Sequence, residues 1–229
     1  MAVSEWDGGG RPLVFLHGLG PSGPGVVAAA GPIWSGEYGF RVLAPALPGI
    51  GGSPAVRRED YLPSRLAARV EAALDELELD RFALVGFSWG GTIGSRIDPG
   101  RLDALVLIDV GYQTYDDEPP TFEALLDEFA AADFADPAVV AAGFHGARAE
   151  PPLDALPGVA GAGVPILLLA GAEPLLERRE RDLDEFRRLV PTADVRSIQG
   201  GHNLLEDAPD ETIRAIGDWL GGVLSASAW

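Results

Sequence analysis

Ser88 is the residue whose sequence context most directly indicates chemistry. It lies at the centre of the pentapeptide GFSWG, residues 86–90, which directly follows the apolar run 82–86. A G-x-S-x-G pattern between a strand and a helix is typical of a nucleophile elbow, a sharp turn that exposes the serine hydroxyl at the carboxyl end of the strand. Glycine-rich turns also join strands to helices without any chemistry. The motif therefore acquires a functional meaning only from partners elsewhere in the chain.

A nucleophilic serine needs a base, and few residues of this chain can serve as one. The chain contains three histidines, His17, His145 and His202, and histidine is the side chain that titrates closest to neutral pH. His202 follows two glycines on a loop after the last candidate strand, from which it can reach a serine on a central strand. His17 opens a glycine-rich turn and is expected to hold that turn by local hydrogen bonds, whereas His145 is expected at the surface or facing the substrate. His202 is therefore the predicted base.

The turn HGLG, residues 17–20, directly follows the first clear apolar run. A glycine-rich turn at this place can present a backbone N–H group toward Ser88. We expect the N–H groups of Leu19 and Trp89 to bind the oxyanion of a tetrahedral intermediate, where each such donor contributes about 2.7–4 kcal/mol.

Composition excludes several other chemistries. All 17 basic residues are arginines and the chain has no cysteine, so a lysine Schiff base, a P-loop lysine, thiolate catalysis and disulfides are excluded. The formal net charge of −18 repels nucleic-acid backbones and anionic lipid headgroups, so we expect neither as a partner. No dinucleotide fingerprint and no clustered metal ligands occur, which predicts action on a small molecule without cofactor or metal. No oligomeric state is indicated.

The sequence also lacks the usual signals for export or membrane insertion. Its first ten residues contain no basic segment followed by an apolar one, as a signal peptide would. The longest apolar run, residues 164–172, is far shorter than the roughly 20 residues of a membrane helix. We therefore expect a cytoplasmic protein without a membrane segment.

Short apolar runs alternate with amphipathic ones along most of the chain. Strands are predicted at 13–16, 41–45, 82–86, 104–109, 166–170 and 194–198. Most of these runs are near-continuously apolar, as is typical of strands buried on both faces of a parallel sheet. Apolar residues at helical spacing predict helices at 64–79, 177–189 and 210–220, with Ser64 as the N-cap of the first. This alternation predicts an α/β fold with a mostly parallel central sheet flanked by helices.

Residues 111–163 break the alternation, since they contain no strand-like run. Helices are predicted there at 121–131 and 137–144, and the segment is too small for a hydrophobic core of its own. We therefore expect a helical lid at 111–163, inserted into a core formed by 1–110 and 164–229.

The substrate pocket is expected to be apolar because four phenylalanines occur in the predicted lid: Phe122, Phe129, Phe134 and Phe144. Phe122 and Phe129 are predicted to contact the substrate, together with His145 of the lid and Gly18 of the turn after the first apolar run.

Together these motifs resemble the α/β-hydrolase family over most of the chain, from about Pro12 to Leu220. The shared features include His17-Gly18, the loop PALPGIGGS at 45–53, the pentapeptide around Ser88, the segment DPGRL at 98–102, and Gly201-His202. The resemblance implies that Ser88 is the nucleophile and His202 the base, in the family's order of serine, acid and histidine, and that the lid is a substrate cap. Only 16 residues precede His17 and the helix after Ser88 is short, so we expect abbreviated N-terminal strands and a compact frame.

The acid departs from the family pattern and has two candidates. The family usually places an aspartate after the next-to-last strand, where this chain reads Gly171-Ala172-Glu173-Pro174, so Glu173 is one candidate. Some relatives carry the acid one strand earlier, where Asp109 ends the apolar run 105–109. Either carboxylate would orient the imidazole and stabilise its charged form, and the sequence leaves both open.

Three functions follow from the resemblance and stay open at this point. The first is a serine hydrolase that cleaves an ester, a lactone or a thioester. The second is C–C bond, lyase or cyclase chemistry, in which the serine or the oxyanion pocket only polarises a carbonyl. The third is a ligand-binding protein without catalysis. A serine rather than a carboxylate at position 88 argues against haloalkane dehalogenase and epoxide hydrolase chemistry, and the fold alone does not choose among the rest.

Overall fold

The central element of the computed structural model is one mostly parallel sheet. The structure describes residues 1–20, 23–114, 118–132, 136–173 and 179–226. Within them the sheet has seven strands: β1 (Val3–Trp6), β2 (Pro12–Leu16), β3 (Arg41–Pro45), β4 (Phe82–Phe87), β5 (Leu102–Ile108), β6 (Ile166–Gly171) and β7 (Asp194–Ile198). Their spatial order is β1-β3-β2-β4-β5-β6-β7, and every neighbouring pair is parallel except β1 with β3 at one edge. The predicted α/β fold class is confirmed.

Helices cover both faces of the sheet. In chain order the described residues form α1 (Ala30–Gly36), α2 (Pro63–Asp75), α3 (Trp89–Gly94), α4 (Phe122–Ala131), α5 (Pro137–Ala149), α6 (Leu156–Gly161), α7 (Arg179–Leu189), α8 (Leu204–Asp207) and α9 (Pro209–Ala226). Since side chains alternate along a strand, Val14 and Leu16 of β2 pack into the layer that contains α2, α3 and α7. Leu13 and Phe15 pack into the opposite layer, with α1 and α9. The core is thus two apolar layers divided by the sheet.

The segment between β5 and β6 contains helices α4, α5 and α6 and no strand among its described residues. Helix α5 extends to Ala149, beyond its predicted end, and approaches the core closely at two glycines. A Cβ atom on Gly143 would lie 2.6 Å from Cδ2 of Leu19, and one on Gly146 would overlap the carbonyl oxygen of Tyr61. Because glycine has no Cβ, the helix can lie against the core at a distance that a side chain would prevent.

Several local predictions differ from the structure. The edge strand β1 and helix α1 have no counterpart among the predicted elements. Ser64 is not the N-cap of α2: the helix begins one residue earlier, at Pro63. The backbone N–H and the hydroxyl of Ser64 instead donate to the carboxylate of Glu150, each at 2.8 Å. No helix in the described part of the chain combines the length and apolarity needed to cross a membrane.

Candidate active site

Ser88 lies in a strained turn between β4 and α3. Its backbone has φ 51° and ψ −120°, a positive φ that is uncommon for a residue with a side chain. The flanking glycines allow this turn to form, because a Cβ on Gly90 would overlap the carbonyl oxygen of Leu16 and a Cβ on Gly86 would overlap Cα of Gly91. The turn places Ser88 at the carboxyl end of a central strand, where its hydroxyl is available to other loops of the same edge.

His202 connects Ser88 to a buried carboxylate. The Nε2 atom of His202 lies 2.9 Å from Oγ of Ser88, and its Nδ1 atom lies 2.8 Å from Oδ2 of Asp109. A carboxylate at Nδ1 favours the tautomer with the proton on that nitrogen, so the lone pair of Nε2 faces the serine hydroxyl. The imidazole also packs at 5.2 Å from the ring of Phe87. This arrangement can accept the serine proton at Nε2 and stabilise the resulting imidazolium through Asp109.

Asp109 follows β5, the strand beside β4, so its side chain lies at the same sheet edge as Ser88. The residue is 2% exposed and has φ 47°. Its Oδ1 atom accepts hydrogen bonds from the hydroxyl of Tyr112 at 2.8 Å and from the N–H of Gly171 at 2.9 Å. Both carboxylate oxygens are therefore bonded, as a buried charge requires.

Glu173, the other candidate acid, lies apart from this arrangement. Its side chain is exposed and its backbone N–H donates to the carbonyl of Gly200. Among the described residues, no hydrogen bond or ion pair joins Glu173 to His202. The two carboxylates that the sequence leaves open are thus separated by the tertiary structure, and Asp109 alone of the two contacts the imidazole.

His17 has a structural position, as its place in the turn predicts. The ring is 1% exposed; Nδ1 donates to the carbonyl of Gly18 at 2.7 Å, and Nε2 accepts from the N–H of Leu47 at 2.9 Å. Removal from water lowers the pKa of His17 to about 4, although the hydrogen bond to Gly18 opposes this shift. The ring is therefore neutral at pH 7 and joins the turn after β2 to the loop after β3.

The same turn lies directly against the nucleophile. A Cβ on Gly18 would come within 3.2 Å of Cβ of Ser88, so Leu19 follows at the edge of the site. Trp89 opens α3, and the first N–H groups of a helix have no acceptor within it. The N–H groups of Leu19 and Trp89 stay the predicted oxyanion donors.

A cavity of about 400 Å³ opens beside Ser88 and His202. Gly18 and Phe129, two of the predicted substrate contacts, line it. The cavity is also lined by residues that the sequence reasoning did not single out as substrate contacts: Val26, Phe87, Val140, Asn203 and Glu206. Phe144 is a further lining residue and packs edge-on against Phe129, with ring centroids 5.8 Å apart. The lining is predominantly apolar.

Two predicted substrate contacts lie elsewhere. Phe122 begins α4, where the guanidinium of Arg58 lies 4.0 Å from its ring centroid, and it lines a separate small cavity. His145 lies on the opposite side of α5, in a surface cleft with Arg58 and Arg65. Neither Phe122 nor His145 lines the cavity beside Ser88, so the structure does not support the prediction that they contact a substrate there, and His145 has the surface position that the sequence offered as its alternative. Phe134 lies outside the described residues.

Comparison with known proteins places the chain among hydrolase folds. The family model described as alpha/beta hydrolase fold matches residues 11–162. A 2-hydroxy-6-oxo-2,4-heptadienoate hydrolase from Pseudomonas putida is 33% identical over 143 residues, which cover 54% of this chain and 50% of the relative. A haloalkane dehalogenase from Psychrobacter cryohalolentis is 36% identical over 102 residues, covering 44% of this chain and 33% of that protein. The chain thus spans half or less of the length of these curated relatives.

Solved structures match over a larger share of the fold. A thermophilic esterase from Thermogutta terrifontis superposes with a TM-score of 0.80 at 22% identity, covering 97% of this chain and 93% of the esterase. An esterase from Exiguobacterium antarcticum superposes with a TM-score of 0.78 at 18% identity, covering 95% and 94% of the two chains. At these identities the likeness concerns the fold.

Proposed function

The chain belongs to the α/β-hydrolase family, and we propose that it is a serine hydrolase that cleaves an ester, a lactone or a thioester of a small apolar substrate. The observation that carries this proposal is the continuous chain of hydrogen bonds from Ser88 through His202 to Asp109, at 2.9 and 2.8 Å. These lengths lie in the range of roughly 2.6–3.2 Å that proton transfer to a general base requires.

The reaction begins when Oγ of Ser88 attacks the carbonyl carbon of the substrate and its proton passes to Nε2 of His202. The tetrahedral oxyanion is bound by the N–H groups of Leu19 and Trp89, and the imidazolium is stabilised by the carboxylate of Asp109. Collapse of the intermediate breaks the bond to the leaving oxygen or sulfur, which takes the proton from His202. A water molecule then attacks the acyl-serine, gives its proton to His202, and releases the acid as Ser88 recovers that proton.

The cavity supports a small, uncharged acyl group. Its volume of about 400 Å³ lies near the lower end of the roughly 300–1,000 Å³ of ligand pockets. The side chains of Leu19, Val26 and Val140, together with three phenylalanines, would contact an apolar chain. Burying such a chain contributes roughly 25 cal/mol per Å² of apolar surface.

A second candidate function is hydrolysis of a C–C bond, which the name of the Pseudomonas putida relative favours. A dienoate substrate carries a carboxylate, which a basic residue in the pocket would stabilise. Among the described residues that line the cavity there is no arginine that could bind this carboxylate. The cavity lining therefore favours a neutral ester over an anionic dienoate.

The primary test is covalent labelling of the nucleophile. A fluorophosphonate probe is expected to modify the wild-type protein at Ser88, because the probe reacts with a serine that a neighbouring base activates. Ser88→Ala is expected to abolish labelling, while the exposed control Ser225→Ala keeps it. Absence of an adduct on the wild-type protein, or an adduct that survives in Ser88→Ala, would contradict the proposed mechanism.

A substrate panel then separates the two candidate functions. We expect p-nitrophenyl acetate and butyrate to be cleaved faster than the hemisuccinate ester, which adds a carboxylate. Cleavage of a 2-hydroxy-6-oxo-dienoate with a higher kcat/KM than every neutral ester would instead favour the C–C bond hydrolase.

A further inference from the structure

The first residues of the inserted segment fold back onto Asp109. Asp109 has φ 47° and Gly111 has φ 97°, and these two positive angles reverse the chain directly after β5. The side chain of Gln113 closes the turn, since its Nε2 donates to the carbonyl of Asp109 at 3.2 Å and its Oε1 accepts from the N–H of Gly111 at 3.1 Å. The reversal brings the hydroxyl of Tyr112 to 2.8 Å from Oδ1 of Asp109.

This hydroxyl is one of three donors that determine how the carboxylate is oriented. Tyr112 and the N–H of Gly171 bond to Oδ1, which leaves Oδ2 for Nδ1 of His202. The terminal torsion of an aspartate is soft, so the carboxylate can rotate when a donor is lost. Asp109 and Tyr112 are 2% and 3% exposed; bulk water therefore has little access to replace the phenolic donor.

We propose that Tyr112 is a positioning residue that holds the carboxylate of Asp109 in the orientation in which Oδ2 faces His202. Tyr112 touches neither Ser88 nor His202 through a hydrogen bond of the described residues, so it acts through Asp109. Its place at the start of the 111–163 segment also connects the base of that segment to the acid. The inference rests on the proposed function, because it assigns a role within the same relay.

The test compares Tyr112→Phe with Tyr61→Phe. Tyr61 is a matched control: it is 2% exposed, and its hydroxyl donates to the carbonyl of Pro48 at 3.3 Å, away from the carboxylate. Both variants lose one buried tyrosine hydroxyl. We expect Tyr112→Phe to lower kcat for p-nitrophenyl butyrate about tenfold with KM within about twofold of wild type, since a hydrogen bond to a charged group is lost.

The pH profile adds a readout that a structural role would not change. Without the phenolic donor the carboxylate of Asp109 can turn away from Nδ1 of His202, so it stabilises the imidazolium less. The acidic limb of kcat/KM is then expected to move to lower pH in Tyr112→Phe and to stay in place in Tyr61→Phe. Equal losses of kcat in the two variants, or an unmoved acidic limb in Tyr112→Phe, would overturn the inference.

A spectroscopic measurement makes the result independent of activity. The proton shared between Nδ1 of His202 and Asp109 is expected to give a downfield proton resonance that disappears in Asp109→Asn. Tyr112→Phe is expected to shift this resonance, whereas Tyr61→Phe leaves it in place. If the wild-type protein neither reacts with fluorophosphonate nor hydrolyses esters, the proposed function fails; if it does both and Tyr112→Phe matches Tyr61→Phe in rate and spectrum, the role of Tyr112 alone fails.

Discussion

The buried ring of His17 predicts a specific loss of stability on acidification. Nε2 accepts from the N–H of Leu47, so protonation would place a second N–H against this donor and a charge in the core. Burial accordingly lowers the pKa of His17 from 6.5 to about 4 in the folded protein. Below about pH 6.5 the unfolded chain binds a proton that the native state does not, and stability falls as the pH falls toward 4.

The size of this effect follows from the shift. One pKa unit corresponds to about 1.36 kcal/mol, so the full shift from 6.5 to about 4 corresponds to about 3 kcal/mol of the free energy of unfolding. This stability is fully present only well above pH 6.5. About 2 kcal/mol of it is expected to be lost by pH 5. Carboxylates also titrate in this pH range. The contribution of His17 therefore has to be measured as the difference in stability between two proteins that have the same carboxylates.

Urea unfolding of the wild type, His17→Asn and Ile216→Val between about pH 5 and pH 8 isolates this difference. The asparagine amide can still donate to Gly18 but cannot accept from Leu47 in the same way, so we expect a cost of about 1–3 kcal/mol near pH 7.5. The gap to the wild type is expected to narrow by about 2 kcal/mol near pH 5, because the variant has no imidazole to protonate. Ile216→Val removes only a buried methyl group, so its difference in free energy of unfolding from the wild type is expected to be the same at every pH. An equally constant difference for His17→Asn would refute the reasoning.

Two further changes test the acid and the elbow. Asp109→Asn is expected to lower kcat on an activated ester by about three to four orders of magnitude, because the imidazole loses the partner that sets its tautomer. Glu173→Gln is expected to keep kcat within about twofold of the wild type. Equal small losses of kcat in the two variants would reject Asp109 as the acid. Gly90→Ala is expected to destabilise the fold by about 1–3 kcal/mol or more in thermal unfolding, since its Cβ would overlap the rigid backbone of Leu16. Gly222→Ala, in α9 with open space around its Cβ, is expected to stabilise by up to about 1 kcal/mol, and similar effects of both alanines would contradict the close-approach argument.

Most of the strands that the sequence predicts are buried on both faces of the sheet; the partly exposed edge strand β7 is the exception. Strand β5, for example, is apolar at nearly every position and almost fully buried, so its run of hydrophobic residues identifies it without any tertiary information. Strand β1 reads VSEW and is mostly exposed; it lies at an edge, where the backbone pairs with β3 and no apolar run is required. Because this pairing depends on a distant part of the chain, the residues of β1 alone do not predict a strand.

Helix α1 was not predicted for a related reason. Its sequence, AGPIWSG, contains glycine and proline, which have low helix propensity. The segment folds as a helix where Trp34 is fully buried and donates from Nε1 to the carbonyl of Ile213 at 3.0 Å. Tertiary packing thus compensates for a weak local preference, as it commonly does for short helices.

The residues that line the cavity could be predicted only in part, because the sequence does not say how far a helix extends over a cavity. Phe122 and Phe129 are seven residues apart and lie on a similar side of α4. Seven residues advance a helix by about 10 Å, so one ring lies beside Ser88 while the other lies beside Arg58. Periodicity identifies a shared side of the helix, and only the structure shows where along the axis the cavity lies.

The sequence by itself determined which residues are candidates for the chemistry. Ser88 is recognisable from its flanking glycines, because the strained turn it occupies needs residues without a Cβ, and His202 is recognisable because only three histidines exist. Which of the two carboxylates contacts the imidazole is visible only in the tertiary structure. Both follow apolar strands and look equivalent along the chain, but Asp109 is held by Tyr112 and Gly171 in a buried turn beside β4, whereas Glu173 is exposed to solvent. Which strand lies next to the nucleophile, and which side chain water can reach, are properties of the packed sheet.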